Sequence, residues 1–108
     1  MIDIQYKISN KHTTHEVSVK GHAQSGAEGH DILCASVSAL FYTLLTNAMR
    51  LEGWGKGKIL SYRHEKGDGY IQFKALNQGK ANANIVFETI CEGFKMLAEE
   101  YPKNISFA

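Results

Sequence analysis

The stretch Asp31-Ile32-Leu33-Cys34-Ala35-Ser36-Val37-Ser38-Ala39-Leu40-Phe41-Tyr42-Thr43-Leu44-Leu45-Thr46-Asn47-Ala48-Met49-Arg50-Leu51-Glu52-Gly53 decides the fold. Leu33, Val37, Leu40, Phe41, Leu44, Ala48 and Leu51 recur at spacings of three and four, which is one buried stripe of a long amphipathic helix. Asp31 is a favoured cap, its carboxylate able to accept from amides two or three residues on, that of Cys34 included, and Gly53 stops the helix. A helix with one apolar stripe needs a surface to cover, so strands are expected on either side of it.

Upstream, Ile2, Ile4, Tyr6 and Ile8 alternate with polar residues, and Val17 and Val19 follow the polar stretch Asn10-Lys11-His12-Thr13. Period two on both sides of a polar turn reads as an antiparallel hairpin. Downstream, Ile59 to His64 and Tyr70 to Ala75 flank Lys66-Gly67-Asp68-Gly69, a second hairpin. Val86, Ile90, Phe94, Leu97 and Tyr101 then mark a second helix stopped by Pro102, and Ile105 and Phe107 suit a short last strand. The expected fold is α+β in two layers, in the order β-β-α-β-β-α-β, a mostly antiparallel sheet packed with two long helices. Residues 1–108 are expected to form one domain. Strand order is not readable from the pattern.

Twelve Lys and Arg against eleven Asp and Glu leave a net charge of +1, too weak a field to recruit nucleic acid or an anionic membrane. The apolar segment from Ala35 to Leu45 is short for a bilayer, and the alternating N-terminus lacks the continuous apolar run of a signal peptide. Cys34 and Cys91 both fall in helical patterns, so a reducing, cytoplasmic setting is expected.

The chemistry concentrates between Gly21 and Ser38. Cys34 stands near a helix start, where free amides and the positive end of the macrodipole favour a thiolate or an oxyanion. It lies about 100° round the helix from Leu33, towards the edge where Ser38 comes one turn later. His22 precedes Cys34 by twelve residues and follows a strand, so a glycine-bearing loop folding back would bring its imidazole to the thiol. That loop, Gly21 to His30, has no proline and no large apolar anchor, and can move over a site. The bland readings are a packed helix cysteine and a loop histidine satisfied by backbone. A metal held by His22, His30, Asp31 and Cys34 lacks the paired spacing of metal motifs, and Ser25, Gly26 and Gly29 come without a Walker lysine. Cys91 reads as structural, and His12, His15, His30 and His64 as surface or strand residues.

Gly21-His22-Ala23, Gly26, Gly29, Asp31-Ile32 and Cys34-Ala35-Ser36-Val37-Ser38-Ala39-Leu40 together resemble the signature of the Prp family of ribosomal-processing cysteine proteases. The resemblance implies a bacterial endopeptidase that removes a short N-terminal extension from large-subunit ribosomal protein twenty-seven. It implies Cys34 as nucleophile and His22 as general base, Asp31 and Ser38 as site-shaping residues, and Gly21, Gly26 and Gly29 as part of a loop that orders on substrate. It implies a homodimer; no cofactor, no metal and neither membrane nor direct nucleic-acid binding are expected. Two other classes remain open on the residues: a non-catalytic ribosome-associated module gripping peptide or RNA, and a thiol-dependent redox regulator.

Overall fold

The alternation at the N-terminus becomes β1 (Ile2–Ser9), which turns back into β2 (Thr14–Lys20) through three consecutive left-handed residues, Asn10, Lys11 and His12. Thr13 ties that turn by donating its hydroxyl to the Asn10 carbonyl at 2.6 Å. The computed structural model describes residues 1–21, 30–65 and 68–108, and of His30 and Asp31 the backbone only. Then follow α1 (His30–Gly53), β3 (Gly57–Glu65), β4 (Asp68–Ala75), α2 (Lys80–Glu100) and β5 (Ile105–Phe107). The expected element order is the observed one. The local differences are at the ends: α2 begins ahead of its apolar stripe, at Lys80, and Asp68 and Gly69 belong to β4 instead of the turn.

The strands form one sheet in the order β3-β4-β2-β1-β5. Every pairing is antiparallel except β1 with β5. The hairpins do not lie side by side in chain order: β2 pairs with β4, so α1 carries the chain past that position to the edge strand β3. From β4, α2 carries it to the opposite edge, where β5 joins β1.

Registers such as Tyr6↔Val17, Val17↔Ile71 and His15↔Phe73 align one face of the sheet, and that face receives both helices. Ile2, Ile4, Val17, Val19, Ile71 and Phe73 meet Val37, Phe41, Leu44 and Ala48 of α1 and Phe87 and Phe94 of α2 in one core. Each such side chain larger than alanine, taken fully out of water, contributes roughly 1.5–3 kcal/mol before chain entropy is subtracted. Leu45 is buried beside the expected stripe, whereas Leu40 is half-buried and packs towards Gly93 of α2.

Over Ile32–Gly53 α1 is long and apolar enough to cross a membrane by length and hydropathy alone, a longer span than the Ala35–Leu45 segment suggested. In this fold its inward stripe is core. The other face of the sheet is polar. There the Tyr70 hydroxyl donates to Glu16 Oε2 at 2.8 Å, and the Arg63 guanidinium lies 5.4 Å from the centre of the Tyr70 ring.

Candidate functional site

α1 opens at His30, one residue before the expected start, so Asp31 stands inside the first turn. Cys34 is the fifth residue of the helix. Its Cα–Cβ bond, like every one in a helix, tilts towards the N-terminus, the side of the opening turn whose amides lack intrahelical acceptors. Leu33 and Val37 on either side are buried, while Cys34 is half-buried at the rim of the core. Ser38, one turn on and about 40° round, is half-buried too. Ser36 uses its hydroxyl within the helix, donating to the Ile32 carbonyl at 2.9 Å. Ile32 presents an apolar side chain to solvent in the same turn, 70 % exposed.

The two cysteines sit in different environments. Cys91, on the inner side of α2, is 4 % exposed, and burial pushes its thiol up to about 12. It borders a groove of about 480 Å³ between α2 and the β1 and β5 strands, with Tyr6, Glu88 and Lys95 around it. Burial, with the Glu88 carboxylate adding to it, also pushes the Tyr6 phenol up. A thiol held neutral in this way is a packing group, as its place in the sequence suggested.

Gly21 directly follows β2 and lies between the Met1 carbonyl and Asp68 of β4. Its φ is +88°, a left-handed conformation. A Cβ on it would stand 2.6 Å from the Met1 carbonyl oxygen beside β1. Its amide donates to Asp68 Oδ1 of β4 at 3.0 Å. The sequence reading placed Gly21 in the motif but took Asp68 only for a turn residue. A bond between partners 47 positions apart has no local sequence signal.

His22, Gly26 and Gly29, and the side chain of Asp31, lie outside the described residues. Cys34 and Ser38 share one face of α1, and that face leads on to Phe41 and Tyr42, against which His64 of β3 packs with ring centres 5.8 and 4.5 Å away. Tyr42 Oη and His64 Nδ1 share a hydrogen bond of 3.1 Å. His15, expected as a surface or strand residue, is in β2 but wholly buried, stacked on Phe87 at 4.7 Å. On the polar face a cleft of about 380 Å³ is lined by Ser18, Lys20, Arg63, Glu65, Asp68 and Tyr70. Among the described residues no group of three or more His, Cys, Asp or Glu is arranged to hold a metal ion.

The sequence profile of the family described as cysteine protease Prp matches residues 1–106. The ribosomal processing cysteine protease Prp of Staphylococcus aureus is 23 % identical over 105 residues, covering 97 % of this chain and 95 % of that protein. The crystal structure of an essential ribosomal processing protease Prp from S. aureus in complex with a substrate peptide shares the fold, with a TM-score of 0.73 at 22 % identity over 100 % of this chain and 98 % of that one. SMU.848 from Streptococcus mutans is similar at a TM-score of 0.73 and 29 % identity, over 99 % of this chain and 91 % of that one.

Proposed function

The chain belongs to the cysteine protease Prp family, and from that membership we propose that it removes the short N-terminal extension of large-subunit ribosomal protein twenty-seven with a Cys34–His22 dyad. The observation that carries this reading is the setting of Cys34: half-buried at the rim of the core, in the opening turns of α1, while Cys91 is buried and held neutral. The S. aureus relative that shares the fold is an essential ribosomal processing protease crystallised with a substrate peptide, which supports a peptide substrate here.

The chemistry follows from that setting. His22 takes the proton of the Cys34 thiol, and the sulfur attacks the scissile carbonyl carbon. The oxyanion is met by amides of the opening turn of α1, which have no acceptor inside the helix. Collapse of the tetrahedral intermediate breaks the C–N bond, and His22 returns its proton to the leaving amine. Water, deprotonated by His22, then attacks the thioester and releases the new carboxylate and the thiol. Exposed Ile32 in the opening turn of α1 leaves an apolar side chain free for a partner segment. The enzyme is further read as a cytoplasmic homodimer that needs no cofactor.

Incubation with a peptide copying the ribosomal protein's N-terminal extension, followed by mass spectrometry, tests the reading. One cut is expected with the wild-type chain and none with Cys34→Ala. His22→Ala is expected to slow cleavage at least about a hundredfold, the loss typical of a missing general base. An intact peptide after incubation with folded wild-type protein, or turnover by Cys34→Ala, overturns it.

A further inference from the structure

β5 closes one edge of the sheet, and its parallel register with β1 decides which of its backbone groups are used. The Ile2 amide donates to the Asn104 carbonyl at 2.8 Å, and the Ala108 amide to the Ile4 carbonyl at 2.9 Å. Groups facing a neighbouring strand alternate along the chain, so Ile105 and Phe107 turn theirs away from β1. Ile105 returns its amide to the Tyr101 carbonyl at 3.0 Å. Phe107 is left with its N–H and C=O on the outer side, where the sheet has no further strand among the described residues. β1 runs on to Ser9 beyond its last bond to β5, from the Tyr6 amide to the Ala108 carbonyl, and lengthens that edge.

The opposite edge is guarded. There β3 carries a bulge between Ile59 and Ser61, and Glu52 of α1 accepts the Ile59 amide at 2.8 Å. Bulges and covering groups are how a sheet refuses another strand. Beside β5 the surface is hollow instead. Two grooves of about 480 and 610 Å³ lie between α2 and β5 and share Lys95, Glu99 and Phe107, so they form one trench. Tyr6, Cys91 and Phe107 give it an apolar inner wall, and Met96 adds an exposed thioether. Glu88, Glu92 and Glu99 line it against Lys95, three carboxylates to one ammonium. Cys34 does not line either groove.

We propose that the β5 edge and this trench dock an extended, basic segment of the protein substrate, separate from the segment that is cut. Its backbone pairs with Phe107, alternate side chains enter the trench, and its Lys and Arg side chains meet Glu88, Glu92 and Glu99. This rests on the reading of the substrate as a ribosomal protein: a protein that lies on RNA carries lysines and arginines to neutralise phosphates. A second copy of this chain suits the surface less, because a contact about a two-fold axis turns the same carboxylates towards one another.

The test compares cleavage of the whole ribosomal protein precursor with cleavage of the short extension peptide. The enzymes are wild type, the double variant Glu92→Lys with Glu99→Lys, Phe107→Pro, and Phe107→Leu as a packing control, each checked by thermal unfolding. The double charge reversal is expected to raise KM for the precursor about tenfold at low salt, with KM and kcat for the peptide within about twofold of wild type. In about 0.5 M NaCl the difference should shrink, since exposed charges are screened. Phe107→Pro removes an N–H that β1 does not use, so the precursor's KM should rise while Phe107→Leu stays near wild type. Where Phe107→Pro folds poorly, the charge reversal decides alone.

An unchanged precursor KM after charge reversal overturns the proposal, and so does an equal rise for the peptide. Sedimentation supplies another arm: a wild-type dimer that the charge reversal or Phe107→Pro breaks apart means that a second copy covers this surface, which also overturns it. If folded wild type cuts neither substrate, the protease reading falls, and docking is then measured as binding of the mature ribosomal protein, without its extension. Binding weakened about tenfold by the charge reversal keeps the surface; equal affinity removes it.

Discussion

The ring of Phe41 in α1 rests on Gly69 of β4 so closely that a Cβ there would stand 3.0 Å from two of its atoms. Phe41 lies seven residues along α1 from Cys34, and Gly69 directly follows Asp68, which holds Gly21. One contact therefore seats the helix bearing the thiol against the strand that holds the chain just ahead of His22. Gly69→Ala forces ring or strand to move, and the expected destabilisation is about 1–3 kcal/mol, the range for overpacking a tight core. Urea unfolding measures it, and cleavage under native conditions should slow as well.

The two thiols should label at different rates. Iodoacetamide is expected to modify Cys34 well below pH 8.5, the ordinary value for a free cysteine, and Cys91 only slowly, because burial keeps its thiol protonated up to about 12. Mass spectrometry of partial digests resolves the sites. Equal, slow labelling would count against a catalytic Cys34.

Cys91→Ala should cost stability and spare activity. It removes a buried sulfur from the inner side of α2, and the expected loss is about 1–2 kcal/mol. Denaturation and the peptide assay on the same preparation separate the two effects. Cys34→Ala and Cys34→Ser should show the reverse: an unchanged fold and no cleavage.

Gly21→Ala combines two penalties. The left-handed φ of +88° disfavours any side chain, and the Cβ would meet the Met1 carbonyl oxygen at 2.6 Å. The expected cost is about 1–3 kcal/mol, with a fall in kcat because Gly21 leads into His22. Calorimetry and steady-state kinetics check the pair.

Stability should fall in mild acid. His15 shares a 2.8 Å hydrogen bond with Tyr6 and is wholly buried, and that burial, with the nearby His12 charge second, lowers its pKa from 6.5 to about 4. The folded chain thus keeps His15 neutral while the unfolded chain protonates it. Stability is full above pH 6.5, declines as the pH drops, and levels off below about 4. The loss is about 3 kcal/mol by linkage. His15→Leu should be less stable at neutral pH, having lost the bond to Tyr6, but nearly flat across that window in urea titrations.

Much of the fold was legible because it is local. Leu33 to Leu51 at helical spacing, Ile2 to Ile8 at period two and Pro102 after Tyr101 each specify an element through neighbouring residues alone. Ends were less legible: between Lys80 and Ile85 the inward side of α2 is marked only by the small Ala83, and His30 is helical ahead of Asp31. His15 escaped notice because a polar residue in an alternating strand gives no sign that Phe87 will cover it.

By itself the chain's order of residues determined the elements, the two-layer α+β class, the family, and Cys34 at the head of a helix, since each depends on contacts a few positions apart. Only the tertiary structure decided that β2 pairs with β4, that β5 joins β1 at the far edge, and that Asp68 reaches Gly21. Those relations arise when two crossing helices choose which strands they cover. A backbone amide and a carboxylate 47 positions apart then meet through packing that no local periodicity encodes.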